Sequence, residues 1–292
     1  MNEQQIQQKG LYTVIATTTV LMLLTICMSV VASYLTDCYG DTLPYSILML
    51  FQGSVSLFTY GAAAFVGVYM VERQWCGSDF CWDINVPYIA LAVMLMLVAE
   101  GIAEWAAFAN WQILLLPKFE WLQKYDYTNV SQTVQILDTS TPLHAILATI
   151  VVAILPAICE EYFFRGVVQK GIYSITHNAT VAILFSSIFF SIAHVDVYGF
   201  LPRIVYGITL GMLFWQSRCI VYPIIAHALN NAMVLLNCHT SSEPLEDILT
   251  ATPANTGPIR PIVCVLIFVF LSEFMEVYMH MVALMRRFRR KK

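Results

Sequence analysis

Charge is what this chain lacks. Asp, Glu, Lys and Arg make up 12% of its 292 residues, against 59% hydrophobic residues, whereas soluble domains carry about a quarter charged residues. That deficit excludes a water-solvated surface over the whole molecule. Also missing are a nucleic-acid footprint, an internal repeat, a low-complexity tract and any region of soluble-domain composition. The one basic cluster, "RRFRRKK" at the C-terminus, suits a cytoplasmic anchor against anionic lipid better than nucleic acid. The eight cysteines offer no zinc-site spacing. Cys76 and Cys81 share a short loop, while Cys27, Cys159, Cys219, Cys238 and Cys264 lie in or beside apolar runs, where cysteine is usually a small hydrophobe. The apolar stretch after the polar N-terminus is too long for a signal peptide and reads as a first transmembrane helix.

Long apolar runs are present instead. Eight spans are predicted, at 11–34, 45–71, 86–116, 143–173, 179–196, 200–216, 219–237 and 260–285. Each is able to cross about 30 Å of hydrocarbon, the two near 200 and 219 only just. Lipid cannot satisfy an open backbone, so the spans must be helices. The expected fold class is therefore all-α, a polytopic membrane protein of about eight transmembrane helices. An even number of spans puts both chain ends on one side. The basic residues after Met285 place that side in the cytoplasm, and a bacterial cytoplasmic membrane is the expected location. The loops at 35–44 and 238–258 lack Lys and Arg, in agreement. Lys118 and Lys124 disagree, but the 117–141 segment that carries them is long and mixed in charge. With Trp121, Tyr125 and Tyr127, that segment reads as an interfacial helix. Its "NVS" at 129–131 matches a glycosylation acceptor, a weak pattern.

Ionisable residues within spans are expensive, and each is a functional-site hypothesis. Three stretches concentrate them: "EEYFFR" at 160–165, "FFSIAH" ending at His194, and "HALNN" at 227–231. Glu161 and Arg165 stand four apart and can pair on one helix face. Glu160 is rotated about 100° from Glu161 and can face elsewhere. His227 and Asn231 share a stripe by the same spacing, and Phe190 should pack beneath His194. Asn230 reads as a neighbour. Glu160 and His194 each lie seventeen residues from His177 in the polar turn "THNAT", or about 25 Å along antiparallel helices. His227 is nearer its own turn and would sit lower unless that turn is raised. Gly166, Gly171, Gly207 and Gly211 are candidates for close helix approach.

These three motifs resemble those of the CAAX-prenyl-endopeptidase and bacteriocin-processing family: Glu-Glu-x-x-x-Arg, Phe-x-x-x-His and His-x-x-x-Asn. Here they are Glu160, Glu161 and Arg165; Phe190 and His194; His227 and Asn231. The resemblance covers 143–237, the expected peptidase core, set between divergent N-terminal helices at 1–142 and an outer loop, last helix and basic tail at 238–292. It implies an intramembrane endopeptidase acting on a polypeptide, lipidated or not. Glu160 and His194 would activate water, His227 and Asn231 would stabilise the oxyanion, and Arg165 would orient Glu161. The chemistry agrees, because amide hydrolysis needs a base for water and donors for the tetrahedral oxygen. No cofactor is favoured. Zinc on Glu160, His194 and His227 is the alternative, although there is no His-Glu-x-x-His pair and the ligands would come from three helices.

Other readings compete. A non-proteolytic scaffold or bacteriocin-immunity protein would keep the same fold. Glu100 and Glu104 on the third span, with Glu273 and Glu276 on the last, would suit a transporter's ion path or simply an interior hydrogen-bond network. His144 and His280 fall at span ends.

Overall fold

The computed structural model describes residues 3–39, 43–71, 84–115, 130–241 and 259–289, with isolated positions between them. The expectations for Cys76 and Cys81, for Lys118, Trp121, Lys124, Tyr125 and Tyr127, for the glycosylation acceptor at Asn129, for the loop at 242–252 and for the basic side chains of the tail lie outside the described residues. Among those described there is no strand, and each of the eight apolar spans is helical: α1 Glu3–Tyr39, α2 Tyr45–Tyr69, α3 Val86–Leu114, α4 Pro142–Thr176, α5 Ala179–Ala193, α6 Phe200–Ser217, α7 Val221–Thr240 and α8 Ile259–Val282. Six of them are long and apolar enough to cross a membrane. The other two are α5, apolar but short, and α6. The protein is an all-α, polytopic membrane protein.

Between hydrocarbon-embedded helices there is little hydrophobic drive, so packing detail holds the bundle together. Two large apolar clusters result, beside a smaller one of Leu137, Ala148, Ala153 and Leu235. One joins α1, α2, α4 and α5 through Leu21, Ala64, Phe163, Phe164 and Phe190. The other joins α3, α6, α7 and α8 through Leu95, Leu210, Tyr222 and Met275. At one end of the bundle, Gln7 of α1 meets His177 after α4, and Tyr173 packs on Trp215 near the end of α6. At the same end, Tyr222 and Tyr278 both bond to Asn85 at the start of α3. The start of α1 and the later part of α8 therefore share a face of the bundle.

Local sequence shapes the helices that matter most. Pro156 has no N–H to offer the carbonyl of Val152, and α4 opens into a π-helical stretch at Thr149–Ile154 just before it. A second π stretch, Tyr162–Gln169, follows the two glutamates; such widening recurs at functional sites. Asn178 starts α5 as its N-cap, accepting a hydrogen bond from the Val181 N–H. Cys219, expected as a plain small hydrophobe, is disulfide-bonded.

The glycine expectations divide. A Cβ at Gly207 would come within 2.8 and 2.9 Å of Ser187 Cβ and Cα, so α6 can approach α5 here only without a side chain. At Gly166 the nearest atom would be 3.7 Å away, so that glycine is not required by packing. Gly207→Val should therefore cost about 1–3 kcal/mol through overpacking. Gly166→Ala should be neutral or stabilise by up to about 1 kcal/mol. Thermal unfolding in detergent checks both, and equal losses would contradict the close α5–α6 approach.

Candidate active site

The three motifs converge where the two clusters meet. Glu161 and Arg165 lie one turn apart on α4 and both are fully buried. Arg165 Nε donates to Glu161 Oε2 at 2.8 Å, as the spacing predicts. The other carboxylate oxygen, Oε1, lies 3.0 Å from His227 Nδ1 on α7. One carboxylate thus ties the guanidinium to the imidazole, in a charge-assisted arrangement that a dry site strengthens. The depth difference expected for His227 does not keep the groups apart, since its ring reaches the same layer as Glu161.

Glu160 faces elsewhere. Its Oε2 is buried without a hydrogen-bond partner among the described residues. It lies 3.5 Å from His194 Nε2. His194 is not on α5, as the 179–196 span had suggested, but caps its end. The other ring nitrogen, Nδ1, is 2.7 Å from the Phe190 carbonyl. A backbone carbonyl only accepts, so Nδ1 carries the proton and Nε2 presents its lone pair toward Glu160. Phe190 lies between the two histidines, with ring centroids 4.7 Å from His194 and 5.8 Å from His227. The Arg165 guanidinium carbon lies 5.6 Å from the Phe190 centroid.

Asn231 follows His227 by one turn, and its Nδ2 donates to the Val152 carbonyl at 3.4 Å. That is the carbonyl for which Pro156 supplies no N–H. One amide hydrogen of Asn231 thus serves the backbone of α4, leaving the second for other work. Asn230 is half-buried beside it.

Several participants were not singled out from the sequence. Ser186 accepts from Arg165 Nη1 at 3.3 Å and donates to the Phe164 carbonyl at 3.1 Å. Gln169 Nε2 donates to the Gly211 carbonyl at 3.0 Å. Both extend stripes already in view, 161–165–169 on α4 and 186–190–194 on α5, and reading the four-residue period one step further would have found them.

Among the described residues no three His, Cys, Asp or Glu side chains gather in a way that could hold a metal ion. Glu160 and His194 pair with each other, while His227 turns to Glu161. The proposed carboxylate path also finds partners that the sequence did not show. Glu100 accepts from the Tyr206 hydroxyl, and Glu104 pairs with Arg260 at 2.8 Å. Glu273 and Glu276 are exposed on α8.

Removing one member of a buried ion pair strands the other. Arg165→Met should destabilise the protein by about 3–5 kcal/mol. The double variant Arg165→Met/Glu161→Leu should recover part of that loss, because the guanidinium and its carboxylate leave together. Unfolding midpoints of the two single variants and the double variant give the coupling directly. Strictly additive losses would contradict the pairing.

Comparison with known proteins follows the same residues. Residues 142–233 match the family model described as type II CAAX prenyl endopeptidase Rce1-like. A Bacillus subtilis (strain 168) protein named "Putative membrane peptidase YdiL" is 35% identical over 106 residues, which is 36% of this chain and 41% of that protein. The chain thus aligns with less than half of that relative's length. No solved structure matches. The matched segment runs from α4 into α7 and carries all three polar motifs, so this part of the chain is similar to the CAAX prenyl endopeptidases.

Proposed function

We propose that this protein is an intramembrane endopeptidase in which Glu160 and His194 activate water and His227 and Asn231 hold the developing oxyanion. The observation that carries this reading is the pairing of a buried carboxylate oxygen that has no hydrogen-bond donor with an imidazole whose free nitrogen faces it at 3.5 Å. A structural ion pair would be expected to satisfy that oxygen, as Glu161 is satisfied by Arg165 and His227. The matched family and the printed name of the Bacillus relative point to the same activity.

The steps follow from the atoms. Water lodges against Glu160 Oε2 and gives up a proton as its oxygen attacks the peptide carbonyl carbon. The proton passes onto the carboxylate and is shared with His194 Nε2, whose lone pair is turned toward it by the Phe190 carbonyl. The carbonyl oxygen gains negative charge and needs donors fixed in advance. His227 provides Nε2–H when its ring carries both protons, with Glu161 as counter-charge at Nδ1. Asn231 provides its second amide hydrogen. The stored proton then goes to the departing amine as the C–N bond breaks. No step requires a metal, and metal-free catalysis is the reading adopted here.

The substrate is a polypeptide, lipidated or not, whose scissile bond reaches the cleft among α4 to α7. The shared face of the start of α1 and the later part of α8, together with the basic tail sequence, supports a membrane orientation with both of these ends cytoplasmic.

Glu160→Gln should lower peptidase turnover by about 10²–10⁴-fold, the usual worth of a general base. Undiminished hydrolysis by that variant would overturn the proposal. Turnover in excess chelator should equal that without it, and loss restored by added zinc would reinstate the metal alternative.

A further inference from the structure

The turn between α5 and α6 is held by far more than its own backbone preference. Val195, directly after His194, has φ of 50°. A β-branched residue is a true outlier in that left-handed region, where helix C-termini usually place glycine or asparagine. Such a conformation costs of order 1–3 kcal/mol and persists only where its surroundings over-determine it. They do so here from four helices. Tyr60 of α2 donates to the Ala193 carbonyl at 3.4 Å, and Asn110 of α3 donates to the Val197 and Tyr198 carbonyls at 2.8 and 3.1 Å. Ser191 of α5 donates to the Phe200 carbonyl at 2.7 Å.

The fourth holder is Arg203 on α6, which pairs with Asp196 Oδ2. Asp196 Oδ1 accepts from the Gly199 N–H at 3.0 Å, closing the turn. Gly199 completes the device, because a Cβ there would collide with both the Arg203 guanidinium and Asp196 Oδ2. The arginine lies across a turn that has been left bare for it.

We infer that Arg203 is a positioning residue for the proposed hydrolysis: through Asp196 it clamps the 194–199 turn and so fixes the His194 ring against Glu160. This rests on the peptidase reading for its catalytic consequence, but the clamp has a readout of its own. The ring of His194 hangs from the first residue of the strained turn, so loosening the turn lets Nε2 drift from Glu160. Misplacement of about 1 Å is enough to cost roughly 10²-fold.

The test uses the full-length protein in detergent with one peptide substrate. Arg203→Gln should lower kcat about 10–100-fold with KM within about twofold. Arg203→Lys, which keeps a cation able to reach Asp196, should recover part of the loss. Asp196→Asn should resemble Arg203→Gln, and the double variant should be no worse than either alone. Val195→Gly should raise the melting temperature, because it relieves the backbone, without compensating for Arg203→Gln. A loss confined to KM, or effects that multiply in the double variant, would overturn the inference. Ring ¹⁵N NMR of the histidines needs no turnover. Arg203→Gln, or Arg203→Lys should the former fail to fold, should move the His194 resonances and leave those of His227 in place. Unmoved His194 resonances would sink the clamp even if Glu160→Gln abolishes hydrolysis. Moved resonances in a protein that hydrolyses no peptide would sink the peptidase reading instead.

Discussion

A carboxylate at membrane depth is costly unless it meets a cation or a donor, and Glu161 meets both. Taking an ion out of water costs several kcal/mol even after relaxation, and that penalty is offset here by Arg165 on one oxygen and His227 on the other. The rest of the site depends on this contact. It joins α4 to α7 across the seam between the two apolar clusters, and it fixes which ring nitrogen of His227 is committed. It also leaves the adjacent carboxyl, Glu160, on a different face and free of Arg165. Two neighbouring acids in one sequence thus acquire opposite environments through 100° of helix rotation.

Phe190 and the α5–α6 turn work on the same principle of prior placement. The phenyl ring separates the two histidines and receives the guanidinium on its face, so the charged groups are spaced by a rigid body rather than by solvent. The turn holds Val195 in a conformation it would not choose alone, with Asn110, Ser191, Tyr60 and Arg203 supplying the constraint. Strain beside the His194 ring, supported from several helices, is the pattern expected where geometry is favoured over local stability.

Much of this was legible in the residues. Hydrophobic run length located the eight apolar helices among the described residues, because lipid leaves the backbone no other choice. Four-residue spacing paired Glu161 with Arg165, set Phe190 under His194 and separated Glu160 from both. What could not be read depends on contacts between helices. His227 turns to Glu161, sixty-six positions away in the chain. Asn231 serves Val152, a carbonyl that Pro156 leaves without its usual partner. Arg203 carries no local sign of its role, since its contact with Asp196 arises only when the turn folds. Glu104 pairs with Arg260, a residue 156 positions away, and no local period could have announced that.

The division of labour between the adjacent acids is the central claim, and a side-by-side measurement of melting temperature and peptide turnover in Glu160→Gln and Glu161→Gln tests it most directly. The account expects Glu160→Gln to keep the wild-type melting temperature, or exceed it, while hydrolysis is lost. It expects Glu161→Gln to lower the melting temperature sharply, because Arg165 and His227 lose their common partner. Matching losses of stability in the two variants, or hydrolysis that survives in Glu160→Gln, would contradict it.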